Sequence, residues 1–307
     1  MEITNVEQLA AIKGYLKQTS SYEGKSVEQI RNELAEAASK WPPLPNITIE
    51  KTTIGHLQGE WVRSAAASPT LANRKQAVLY LHGGGFIAGT CEFYRDLAAR
   101  ISFSSGVDVL TIEYRLAPEH PYPAANEDCL SAYRWLLKNG YSGRHIVLGG
   151  DSVGASLALM TLISLRDNGE ELPACAFLLS PHTDLVNLDG ESYRSRAELD
   201  PTGSRQGNQR ILDAYLAGWE GEMPPLLSPL RMELRGLPEL LIQVGDQEVL
   251  LSDALRFADR AKEADVDVTL EVWENMWSVF QALAYMLPEA QQAIVNIGQY
   301  VQERLNK

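Results

Sequence analysis

No histidine follows His182 in this chain of 307 residues, so its C-terminal part can supply no imidazole. Cysteine is scarce as well: Cys91, Cys129 and Cys175 are widely spaced, odd in number and form no CxxC pair. That pattern excludes a disulfide framework and a zinc finger, and it fits thiols kept reduced in a cytoplasmic setting. Basic residues are outnumbered, 27 Lys and Arg against 40 Asp and Glu, for a net charge of −13. A surface of that sign repels phosphate backbones and anionic headgroups, so neither nucleic acid nor a membrane is expected as partner. Apolar runs long enough to span a bilayer are missing. The opening MEITNVEQLA has no basic stretch leading into an apolar one, so no signal peptide is expected. Internal repeats and low-complexity tracts are absent too.

What is present is a globular composition, 45% hydrophobic and 22% charged, in a chain long enough for a large core. Two polar helices are expected at 6–17 and 26–40, the second starting at Ser26 with Gln29 three residues on. Pro42, Pro43 and Pro45 then end the helical region. Eight strand-like runs follow, at 46–53, 57–63, 77–81, 107–113, 145–149, 174–179, 239–244 and 266–273. The first two read as a hairpin around Gly55. The clearest helices between and after them fall at 124–138, 153–166, 253–264 and 288–305. Apolar strands alternating with helices predict an open, mostly parallel sheet covered on both faces. The polar stretch 187–223, with a helix expected at about 211–219, reads as an insertion over the sheet.

The sharpest local pattern is Gly150-Asp151-Ser152-Val153-Gly154, which follows the strand IVLGG and opens the helix ASLALMTLISL. G-x-S-x-G in a strand–turn–helix context places a serine Oγ on a sharp turn above a sheet, with side chains excluded at both flanks. Three successive glycines at 83–85 follow the strand AVLYL. Their bare amides suit a developing oxyanion, each donor worth about 2.7–4 kcal/mol. A phosphate cradle would need a GK[ST] sequence, which is absent.

Taken together, HGGGF at 82–86, EYRLAPEHPYPAA at 113–125, GDSVG at 150–154, LLSPHTDL at 178–185, VGDQEVLLSD at 244–253 and VWENMWSVFQ at 272–281 make the chain similar to the bacterial hormone-sensitive-lipase-like esterases. The resemblance implies the α/β-hydrolase fold: an eight-stranded, mostly parallel sheet flanked by helices, with a helical cap. Residues 1–45 would supply N-terminal cap helices, and 46–307 a catalytic domain with a cap insertion at about 187–223. It implies carboxylic ester hydrolysis, usually of short acyl chains, with a small-molecule ester as partner and without metal or cofactor. It also implies pairing of two copies through an edge strand.

Carried onto this chain, Ser152 is the nucleophile and the amides of Gly84, Gly85 and Val153 are the oxyanion donors. Val153 stands where the family often has Ala, a change the amide survives. His82 would position the glycine loop, the segment from Tyr114 to Pro123 would pack beneath the site, and Phe86, His182 and Trp277 would line the pocket. Three carboxylates follow the strand ELLIQV. The family pattern selects Glu248 as the acid, with Asp246 second and Asp253 as the cap of the next helix. In the slot of the triad histidine stands Ser278, between Trp277 and Val279.

A serine hydroxyl has no pKa near neutrality and cannot replace an imidazole base. Of the five histidines, His56, His120 and His145 lie in other segments and His82 belongs to the loop. That leaves His182, at the carboxyl end of a strand, as the one candidate substitute. Three readings follow: a carboxylesterase with impaired turnover, natural or engineered; a non-catalytic small-molecule binder like the plant gibberellin receptors, which resemble this fold and lack the histidine; or a changed chemistry at Ser278.

Overall fold

A computed structural model describes residues 4–19, 22, 24–40, 45–65 and 75–307. Helix α1 (Val6–Thr19) and helix α2 (Val27–Lys40) come first. Ser26 and Gln29 form a reciprocal capping box: Gln29 N donates to Ser26 Oγ at 3.2 Å, and Ser26 N to Gln29 Oε1 at 2.8 Å. Pro42 and Pro43, expected to end this region, lie outside the described residues.

Eight strands then build one sheet: β1 (Ile47–Ile54), β2 (Leu57–Ser64), β3 (Ala77–Leu81), β4 (Asp108–Ile112), β5 (Ile146–Asp151), β6 (Cys175–Leu179), β7 (Glu239–Gly245) and β8 (Val268–Trp273). Their order is β1-β2-β4-β3-β5-β6-β7-β8. The β1–β2 hairpin turns at Gly55, and β2 pairs antiparallel with β4. The ladders from β4 through β8 are parallel.

Period-two alternation sends successive side chains of the central strands into two cores. Ala77, Leu79 and Leu81 join one, together with Leu148 and Leu178; Val78 and Tyr80 join the other, together with Val147 and Phe177. The first core is covered by α4 (Ala124–Lys138), α5 (Val153–Asp167) and α8 (Leu251–Glu263). The second is covered by α3 (Cys91–Ser105) and α9 (Pro288–Leu305). The insertion carries the short α6 (Ser192–Ser195) and α7 (Arg205–Tyr215). Among the described residues no helix is long and apolar enough to cross a membrane.

Three local expectations are corrected. Helix α3 has no counterpart in the sequence reading, although its ends are signalled: Thr90 Oγ1 accepts from Phe93 N at 3.1 Å, and Gly106 closes it at φ 68°. Helix α7 starts six residues before the expected 211, because Ser204 caps it through Gly207 N. Asp253 does not cap α8; the helix starts at Leu251, and Asp253 lies in its first turn accepting from Arg256 at 3.2 Å.

Candidate active site

Strand β5 runs into Asp151, and α5 begins two residues later, so Ser152 carries the whole reversal. Its backbone sits at φ 51°, ψ −121°, a strained conformation for a residue with a side chain. Its N–H donates to Leu179 O at 2.9 Å, which anchors the turn to β6. The flanking glycines are required by close approach. A Cβ on Gly150 would stand 2.5 Å from Gly154 O, and one on Gly154 2.1 Å from Leu81 O. Both obstacles are backbone. Gly154→Ala should therefore lower the melting temperature by about 5 °C or more, from a strain near the upper end of the usual 1–3 kcal/mol for overpacking. Thermal unfolding checks this, and an unchanged midpoint would contradict the packing argument.

The glycine loop leaves β3 at His82 and is fastened to the same elbow. Gly83 N donates to Asp151 Oδ1 at 2.9 Å, and the Asp151 carboxylate also accepts from Tyr80 Oη at 2.8 Å and Tyr94 Oη at 3.0 Å. Burial pushes the Asp151 carboxyl up to about 6 against these three stabilising donors. With the Gly83 amide taken, Gly84 and Gly85 are the loop glycines that face the cavity. Val153 opens α5, so its amide belongs to the first turn, where N–H groups lack intrahelical partners. His82 Nδ1 donates to Gly83 O at 2.8 Å, and its ring stacks on Tyr114 and Tyr94. Tyr114 Oη donates to His82 O at 2.8 Å. Phe86 lies behind the loop, fully buried on Tyr215 at a centroid distance of 3.8 Å, and is not part of the cavity wall.

The carboxylates after β7 separate by environment. Glu248 is fully buried, and its Oε2 accepts from Gly245 N at 2.8 Å and Ser180 Oγ at 2.9 Å. Ser180 Oγ in turn accepts from Val279 N at 2.9 Å. Glu248 is thus joined through one hydroxyl to the residue after Ser278, while its Oε1 has no partner. Burial pushes the carboxyl well above its ordinary range, and the nearby Asp200 adds to this. Asp246 is partly exposed, its backbone carbonyl accepts from Arg196 Nε, and it does not line the cavity. Asp253 is tied to Arg256.

Ser278 follows Trp277 and precedes Val279, a β-branched residue held at φ 55°. Ser152, Gly84, Gly85, Trp277 and Ser278 all line one cavity of about 770 Å³. Its apolar wall includes Leu16 of α1, Ile30 and Leu34 of α2, Leu97 of α3 and Ile211 of α7.

His182 lies away from this wall. It is buried beneath the insertion, 3.0 Å from Tyr193 Oη, which accepts from Asn208 Nδ2 and so donates to His182 Nε2. Burial pushes the imidazoles of both His182 and His82 down to about 4. Each therefore contributes stability that is lost as pH falls from about 6.5 toward 4, because the unfolded chain protonates first. Histidine NMR titration should find both rings neutral down to about pH 4. A midpoint near 6.5 for His182 would restore it as a candidate base.

Sequence reasoning missed Asp151, Tyr80, Tyr94 and Ser180 as supports of the site. Asp151 was visible inside GDSVG, and Ser180 at the carboxyl end of β6, but their partners are distant in sequence.

The alpha/beta hydrolase fold family matches residues 78–282, two-thirds of the chain. The chain is 39% identical over 249 residues to an acetyl-hydrolase of Streptomyces hygroscopicus, covering 81% of each. It is 33% identical over 271 residues to an esterase of Acinetobacter venetianus, covering 88% of this chain and 87% of that one. A crystal structure of an esterase from the bacterial hormone-sensitive lipase family superposes with a TM-score of 0.91 at 38% identity, over 99% of this chain and all of the other. Fold and site chemistry thus define an α/β hydrolase. Within that class, the chain belongs to the bacterial hormone-sensitive-lipase-like carboxylesterases.

Proposed function

We propose that this chain is a hydrolase of short-chain carboxylic esters whose own turnover is held down by Ser278. Ser152 Oγ attacks the ester carbonyl, and the amides of Gly84, Gly85 and Val153 receive the oxyanion. Residues 1–45 and 187–223 act as the cap that gives the site its apolar wall. A cavity of about 770 Å³ suits a small-molecule ester. Edge strand β8, which carries the exposed Val272, supports pairing of two copies there.

One observation carries the impairment. Glu248 is buried with an unpartnered Oε1, and its Oε2 is joined through Ser180 Oγ to Val279, the residue after Ser278. A triad acid orients its histidine through such an oxygen. Here no imidazole is within its reach, and Ser152 keeps its proton. In a comparable triad the loss of the base costs on the order of 10⁶ in turnover, roughly 8 kcal/mol.

The test compares the native chain with Ser278→His on p-nitrophenyl esters of increasing acyl length. Activity should return in the variant and be greatest on the shortest acyl groups. A folded, inactive variant would leave the binding-protein reading, which a cavity of this size also suits.

A further inference from the structure

The insertion grips the loop that carries Glu248 by its backbone, on both sides of the acid. Before it, Arg196 Nε donates to Asp246 O at 2.7 Å. After it, Asp200 Oδ2 accepts from Val249 N at 2.8 Å. Ser192 Oγ donates to Val249 O at 2.5 Å and accepts from Ser252 N at 2.9 Å. Asp200 and Ser192 are both buried.

Asp200 is the acidic member of this set. Its Oδ1 is occupied within its own turn, accepting from Thr202 N at 2.9 Å, Thr202 Oγ1 at 3.1 Å and Gly203 N at 2.9 Å. Oδ2 is left to reach the acid loop, and the approach is close. A Cβ on Gly203 would stand 2.7 Å from Asp200 Oδ2 and 2.9 Å from Val249 Cγ2. Without Asp200, the Val249 N–H would be a buried donor with no partner, and the loop would have to shift to satisfy it. A shift of that kind moves Glu248, and misplacement of about 1 Å at a reacting constellation costs on the order of 10²-fold.

We propose that Asp200 is a positioning residue for the acid: through Val249 it fixes the loop on which Glu248 stands and so makes the insertion part of the site's machinery. The proposal rests on the esterase reading above, in which Glu248 is the acid. A second consequence is electrostatic. The Asp200 charge disfavours ionisation of Glu248 and favours a cation at position 278, which lines the same cavity as Asp200. The other carboxyl that bears on Glu248 is Asp253 of α8, pushed up to about 7 by burial and tied to Arg256. From β6, Glu248 is faced by the neutral Ser180.

The experiment places Asp200→Asn in the native chain and in Ser278→His. The amide oxygen can keep the turn, but the amide nitrogen then faces the Val249 N–H, so the bond and the charge are both lost. In the native chain, hydrogen exchange of the peptide spanning 246–252 should quicken by about tenfold or more, while the peptide containing Ser152 keeps its rate. In Ser278→His, kcat on p-nitrophenyl acetate should fall by about tenfold with KM changed by less than about twofold. The acid limb of kcat/KM should move to lower pH by about half a pH unit or more, because losing a negative charge lowers the pKa of acid and imidazole alike. Asp253 is present in both proteins, so the difference between their profiles belongs to Asp200. Ser192→Ala in the same background removes a neutral contact with the loop, so kcat should fall with the acid limb unmoved. A lowered melting temperature in Asp200→Asn with kcat and acid limb as in Ser278→His would make Asp200 merely structural and overturn the proposal. Unchanged exchange over 246–252 would overturn it too. A folded but inactive Ser278→His sinks the esterase reading and the acid's role with it, whereas local exchange still decides whether Asp200 holds the loop.

Discussion

Ser278→His is expected to raise kcat on p-nitrophenyl acetate by about 10³-fold or more, with KM changed little. The size of the gain follows from what is already built. The elbow holds Ser152 at φ 51°, the glycine loop is pinned to it through Asp151, and Glu248 is buried with one oxygen unused. On the proposed function, the proton carrier between Ser152 and Glu248 is what is missing. An imidazole on Cβ of residue 278 would hang from a backbone fixed by the Val279 N–H bond to Ser180. Restoring a base recovers much of the roughly 10⁶ that its loss costs in a comparable triad. KM should hold because the cavity wall is otherwise unchanged. A variant that melts like the native chain and still fails on these esters would contradict the assignment of the slot.

The second large effect is the loss on Ser152→Ala placed in the Ser278→His background. Turnover should fall by about 10³-fold or more, the factor that Ser278→His gains, back to the level of the oxyanion donors and pocket alone. The substitution removes one oxygen and leaves the fold's requirements at the elbow intact. Those requirements are the Ser152 N–H bond to Leu179 O and the bare flanks at Gly150 and Gly154. Steady-state hydrolysis with thermal unfolding as a control checks it. A modest loss, of tenfold or less, would mean that another group attacks the ester.

Much of this was legible before any coordinates. The buried strands β3, β5 and β6 are short apolar runs bounded by polar or glycine residues, and these came out within one or two residues. GDSVG and the triple glycine carry their own geometry, because backbone approach at 2.1–2.5 Å leaves no alternative residue at Gly150 or Gly154. Helix α3 was lost because its apolar face is interrupted by short polar residues, Ser102 and Ser105 among them. These are buried against other elements, Ser102 Oγ accepting from Ser64 N at 3.1 Å. Asp253 looked like a helix cap because acids favour that position, but Leu250 and Leu251 turn the chain earlier. The link from Glu248 through Ser180 to Val279 joins three segments far apart in sequence, and no local pattern announces it. His182 sits at a strand end, as expected of a ligand-binding position. Its ring is nevertheless engaged by Tyr193 from the insertion, a contact that only tertiary packing creates.

The proposed function puts the acyl group on Ser152 Oγ, and mass spectrometry of the peptide that contains Ser152 tests this most directly. After Ser278→His is mixed with p-nitrophenyl butyrate and quenched in acid, Ser152 should carry a butyryl group, and the Ser152→Ala counterpart should carry none. Release of p-nitrophenol with Ser152 unmodified, or with the acyl group on another residue, would contradict the account.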